Sequence, residues 1–150
     1  MLEDFLKANG MKARLIECTV PVPNCKAAAT AMGVNVSDIV KSVLFVYDKK
    51  KAVLLVLLGD ARVSLPKVSA LLDGKALQLA MPKEVLEMTG YDVGGVPPIS
   101  IYGVKTFIDE KVMKKAKVYA GGGDDAHLLE ITPAELLEFA LEPVVTDVAE

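Results

Sequence analysis

The chain has 150 residues, 52% of them hydrophobic, and a formal net charge of −3. That length supports one domain with an ordinary core, and that hydrophobicity excludes a disordered chain. The acidic balance excludes a protein that grips long duplex nucleic acid through a broad basic face, but not a small contact with one nucleic-acid end. In chain order, LEDFLKA (2–8) predicts a short amphipathic helix closed by Gly10. KARLIECTV (12–20) alternates as a strand, and PVPN ends it. Asn24 caps a helix through CKAAATAM, with Gly33 as the stop. Ser37 caps one helical turn over DIV (38–40), and two β-rich runs joined by DKKK (48–51) then predict a hairpin. Its second run is apolar on both faces and predicts a central strand.

Farther on, SLPKVSALLDG (64–74) reads as a helix with Ser64 as cap, Pro66 in the first turn and Gly74 past the end. ALQLA is a strand, and PKEVLEMTG a helix from Pro82 that ends before Gly90. A loop rich in Gly and Pro follows, TGYDVGGVPPIS (89–100). KTFID is a strand whose Asp109 caps a short helix over EKVMKKA; KVYA and HLLEI are further strands, separated by GGGDD. TPAELLEFA carries a capping-box pattern, Thr132 with Glu135. Interleaved strands and helices with one tight hairpin predict an α+β fold: a single domain over 1–150, with a mixed sheet and helices packed around it. The N-terminus is acidic and too weakly apolar for a secretion signal, and the longest apolar run, 52–58, is too short to span a bilayer. Two cysteines, Cys18 and Cys25, then read as reduced thiols of a cytoplasmic protein.

Several segments carry chemistry. GYDVGG reads either as a plain helix exit or as a loop whose Gly94 and Gly95 bare backbone N–H groups toward a developing oxyanion, stiffened by Pro97 and Pro98. It is not GxGxxG and follows no strand, which argues against a dinucleotide site. AGGGDD lacks the Lys-Ser/Thr of a phosphate loop. It reads as a turn, or, with Asp124, Asp125 and His127, as a metal site lacking a second ligand cluster. Lys41 stands at the mouth of an apolar strand, either solvated or aiming an ammonium into a cleft. Lys49, Lys50 and Lys51 read as a solvated hairpin tip or as a means of steering a polyanion. Cys25 and His127 are the components of a thiol–imidazole pair, but no nucleophile elbow surrounds either. What remains is a pocket of backbone donors and one lysine, without a base or nucleophile.

In this order, the segments KAAATAMGV…IVKSVLF, TGYDVGGVPPIS, TFID and VYAGGG…LLEITPAEL resemble the YbaK / prolyl-tRNA synthetase insertion-domain family of aminoacyl-tRNA deacylases. The resemblance runs from about residue 24 to about residue 140 and rests most on the Lys after a short helical turn and the TGYxxGGxxP loop. It implies hydrolysis of the ester between a wrong amino acid and the 3′-terminal ribose of a tRNA. Lys41 and Gly94 take the family's catalytic positions, Gly94 through its backbone N–H. Ser42, Tyr91, Gly95, Pro98, Ala120, Gly121 and Gly122 take substrate-binding ones. The resemblance further implies substrate-assisted hydrolysis through the ribose hydroxyl or the amino acid's own thiol, no cofactor and no metal. The implied partner is the acceptor 3′ end of a mischarged tRNA, with an aminoacyl-tRNA synthetase as a further candidate and neither membrane nor DNA. Ala120 stands where several relatives carry Ser, Pro97 where Ser is common, Ser100 where Gly is common, and Leu128 near an Asp of cysteinyl-specific members. These departures leave the amino acid open among small ones such as Ala, Cys or Ser. Two other classes stay in play: a non-catalytic binder of a tRNA end or nucleotide, and a cysteine or metal hydrolase.

Overall fold

The computed structural model describes Met1–Glu150. Its helices are α1 (Leu2–Ala8), α2 (Cys25–Met32), α3 (Leu65–Leu71), α4 (Pro82–Thr89) and α5 (Pro133–Phe139). Its strands are β1 (Arg14–Glu17), β2 (Val40–Tyr47), β3 (Lys51–Leu58), β4 (Gln78–Leu79), β5 (Lys105–Asp109), β6 (Val118–Gly121), β7 (His127–Ile131) and β8 (Val144–Thr146). Short 3-10 turns occupy Val36–Asp38 and Glu110–Lys114.

The run apolar on both faces, β3, is the middle strand of a five-stranded sheet ordered β4-β2-β3-β5-β8. It pairs antiparallel with β2 and parallel with β5, so the sheet is mixed. Successive side chains point to opposite faces, and both faces of β3 are covered. Leu54 and Val56 join Val40, Leu44 and Ile108 in the larger cluster, while Val53, Leu55 and Leu57 join Phe45, Phe107 and Val68 in a second. The strand that contains Lys41 lies one place outward, between β3 and the short β4.

The expected single sheet is supplemented by a second one. Strands β1, β7 and β6 form a separate antiparallel sheet in that order. Val118, Ala120, Leu129 and Ile131 alternate inward on it and share the larger cluster with the five-stranded sheet. The two sheets meet where β2 begins, through a parallel bridge between Ile39 and Tyr119. That junction places the start of β2 against the β6–β7 turn.

Local signals resolve as follows. Asn24 accepts from the Ala27 N–H at 2.9 Å, and Gly33 closes α2 at φ 66. Ser64 and Thr132 cap α3 and α5 as expected. The turn expected after Ser37 starts earlier, because the Asp38 carboxylate accepts from the Asn35 N–H at 3.3 Å and closes the turn from that side. Helix α3 stops at Leu71, two residues before the end expected ahead of Gly74. Glu135 does not complete the capping box. Its carboxylate instead accepts from the Lys12 and Ala13 N–H groups at 2.8 and 2.7 Å, tying the chain ahead of β1 to α5. Strand β8, which no pattern in the sequence announced, adds a parallel edge to β5.

Candidate active site

Four segments converge at the mouth of β2. The N-terminus of α2 brings Pro23, Asn24 and Cys25, and the chain leaving the Val36–Asp38 turn brings Lys41 and Ser42. The loop after α4 brings Gly94 and Val96, and the β6–β7 hairpin brings Ala120, Gly121 and Leu128. Together they enclose a cavity of about 150 Å³ with no carboxylate or imidazole in its lining.

The loop is fixed at both ends. Helix α4 exits through Gly90 at φ 81. The Thr89 hydroxyl donates to the Val85 carbonyl at 2.7 Å and accepts from the Tyr91 N–H at 3.1 Å. The buried Tyr91 hydroxyl donates to Ser100 Oγ at 3.0 Å, closing the loop across its base. Pro97 and Pro98 are buried beneath it. Against β6 the packing is backbone on backbone. A Cβ at Gly121 would lie 2.2 Å from the Val96 carbonyl oxygen, and one at Gly95 2.8 Å from the Asp124 nitrogen. The Gly123 N–H donates to the Gly95 carbonyl at 2.8 Å. The loop therefore lies beside the 120–123 turn, and part of the glycine content serves this close approach.

Gly94 differs from its neighbours. It lies at φ 93, lines the cavity, and its N–H has no partner among the hydrogen bonds. Lys41 is half-buried, and its ammonium donates to the carbonyls of Gly59 and Ala61. Two acceptors occupy two of its three N–H bonds and leave a third. Ser42 Oγ is buried with no hydrogen-bond partner. Burial pushes the Cys25 thiol above its ordinary value, with the Lys41 charge pulling the other way. Cys25 is thus a neutral thiol close to that ammonium.

Of the residues singled out in the sequence, Lys41, Ser42, Gly94, Ala120 and Gly121 line the cavity. Tyr91, Gly95, Pro98 and Gly122 do not. The cavity also uses Asn24, Ala28, Ile39 and Val40, for which the sequence suggested no site role. Asn24 announced itself only as a helix cap. Cys25 and His127 are not brought together. His127 turns to Asp124, 2.8 Å away, and this bond holds the Asp124 carboxyl below its ordinary value. No three His, Cys, Asp or Glu side chains converge as a metal set.

Residues 19–139 match the family model of the aminoacyl-tRNA editing domain. The chain belongs to this family. Its members deacylate tRNA in the service of translation fidelity. The chain is 34% identical over 122 residues to the uncharacterized protein YwhH of Bacillus subtilis, covering 81% of this chain and 77% of that one. It is 33% identical over 109 residues to a proline–tRNA ligase of Lactobacillus delbrueckii. That match takes in 70% of this chain and 19% of the ligase, so the chain corresponds to about a fifth of that enzyme. The crystal structure of a candidate trans-editing enzyme for prolyl-tRNA synthetase superposes with a TM-score of 0.90 at 34% identity, over 99% of this chain and 94% of that one. No helix of the editing domain is long and apolar enough to cross a membrane.

Proposed function

We propose that residues 1–150 form one editing domain, a deacylase that hydrolyses the ester between a small amino acid and the 3′ end of a mischarged tRNA. The observation that carries this reading is the cavity itself. Lys41, Gly94 and Ser42 line one small space without a carboxylate or imidazole; the Gly94 N–H has no partner, and the Ser42 hydroxyl is buried and unpaired.

Water adds to the ester carbonyl carbon, and negative charge develops on the carbonyl oxygen. The bond to the ribose oxygen then breaks, giving a free amino acid and a tRNA 3′ end with its hydroxyl restored. Lys41 donates to two carbonyls, and in this reading its ammonium supplies positive charge. Gly94 supplies a backbone N–H to the oxyanion, and such preorganised donors typically contribute about 100- to 1,000-fold each. Proton transfer falls to the substrate's own ribose hydroxyl. Cys25 is a poor nucleophile here, because burial keeps its thiol protonated and no base accompanies it.

The cavity is smaller than the roughly 300–1,000 Å³ common for drug-sized ligands. Val22, Ala28, Ile39, Ala120 and Leu128 make its walls apolar. This suits the side chain of alanine, cysteine or serine. Deacylation of Ala-, Cys- and Ser-tRNA tests the reading: turnover of at least one is expected, and binding of all three without turnover would favour a non-catalytic tRNA-end binder.

A further inference from the structure

We propose that the tip of the β2–β3 hairpin and the adjoining exposed tyrosine form a second RNA-contact surface, which takes tRNA backbone and an unpaired base away from the aminoacyl end. The proposal rests on tRNA being the substrate of the cavity.

The hairpin tip holds the one run of three consecutive lysines in an acidic chain. Lys49, Lys50 and Lys51 make no ion pair, nor does Lys105 beside them. The adjacent carboxylate, Asp48, is already engaged by Lys75 at 3.1 Å. Lys50, Lys51 and Lys105 line one shallow depression of about 530 Å³ in which Glu142 is the only carboxylate. Clustered like charges repel, so the arrangement suits an external anion.

The backbone supports the same reading. Asp48 and Lys49 both adopt positive φ, 46 and 70. Tight hairpins usually place Gly or Asn in that region because a larger side chain is strained there. This chain instead sets a lysine there, at the point of greatest reach.

The same depression carries an aromatic. Tyr102 is 73% exposed, the only aromatic among the large exposed apolar side chains, and it shares the rim with half-buried Tyr47. Lysines beside an exposed ring form the pairing that single-stranded nucleic acid uses, phosphate to ammonium and base to aromatic face. Lys41 and the tip lie at opposite ends of β2, about 20 Å apart at the usual strand rise of about 3.4 Å per residue. A ligand that fills the cavity and reaches the tip must therefore be long, as a tRNA is and a free amino acid ester is not.

The test is equilibrium binding of an uncharged, fluorescently labelled tRNA transcript at several salt concentrations. Wild type, a variant with Lys49, Lys50 and Lys51 all changed to Ala, and Tyr102→Ala are compared. The triple variant is expected to bind more weakly and to flatten the log–log salt slope by about 0.7 to 0.9 for each phosphate it no longer neutralises. Tyr102→Ala is expected to weaken binding by about 5- to 150-fold, the range for one stacked base. Both should hydrolyse a short aminoacyl-nucleotide ester at the wild-type rate, since that probe cannot reach the tip. Wild-type tRNA affinity and salt slope in both variants would overturn the proposal. So would unchanged tRNA binding with loss of binding to a purified prolyl-tRNA synthetase, which would make the surface a protein dock. The binding measurement decides this surface even if wild type hydrolyses neither ester, a result that would instead sink the deacylase reading.

Discussion

A methyl group at residue 121 would sit 2.2 Å from the Val96 carbonyl oxygen, a distance no repacking of side chains can relieve. Gly121→Ala must therefore push the 92–98 loop off β6. It is expected to lower stability by about 1–3 kcal/mol, the usual cost of overpacking, as read by denaturant titration. Ser42 predicts the opposite. Its buried hydroxyl lacks a partner, and an unmade hydrogen bond of that kind costs about 1–3 kcal/mol. Ser42→Ala is expected to melt at or above the wild-type temperature while losing deacylation; a clear drop in melting temperature would show that the hydroxyl is already satisfied in the fold. These two residues also mark what was legible. The Lys41 and Gly94 positions stood out in the sequence because an isolated lysine and a glycine-rich loop are visible without knowing their neighbours. That Gly95, Gly121 and Gly122 serve backbone packing, and that Ser42 is orphaned, depends on contacts across the fold that no local pattern encodes.

Between elements, Glu130 on β7 joins the three strands of the smaller sheet. Its carboxylate accepts from Arg14 on β1 and from Lys117 just before β6. The bonds to Arg14 and Lys117 hold its pKa below the ordinary 4.5. A depressed carboxylate contributes stability above its unfolded value and loses it as pH falls through the folded one. Glu130→Gln is therefore expected to be less stable than wild type near neutrality, by no more than about 1 kcal/mol for pairs this exposed. The two proteins should converge as pH drops below the ordinary carboxylate range. Denaturant midpoints at neutral and acid pH check this, and a constant gap across that range would contradict it. Element boundaries were legible where caps act locally, as at Asn24, Ser64 and Thr132. They were not where tertiary partners compete. Glu135 is drawn from its own helix cap to the chain ahead of β1, and β8 is only three residues long, stabilised by β5 rather than by its own pattern. The division into two sheets was hidden for the same reason: alternating strands look alike whichever sheet they join.

Across the whole molecule, the mixed sheet followed from the order of strands and helices and its central strand from the run apolar on both faces, whereas a pocket shared by two glycine segments was implied only by the family resemblance. The small cavity required the two sheets to meet at β2. Since no ligand set converges anywhere, turnover is expected to be unchanged in chelator; loss on chelation with recovery on adding zinc or magnesium would contradict that. The most direct test of the central claim is single-turnover deacylation of a mischarged tRNA by wild type, Lys41→Ala and the exposed control Lys83→Ala. Removing the Lys41 ammonium frees two carbonyls, at about 0.5–1.5 kcal/mol per hydrogen bond. Circular dichroism should therefore accompany the assay and show a folded protein. With that control met, Lys41→Ala is expected to hydrolyse the ester about 100- to 1,000-fold more slowly than wild type, and Lys83→Ala at the wild-type rate. A folded Lys41→Ala that deacylates as fast as wild type would contradict the account.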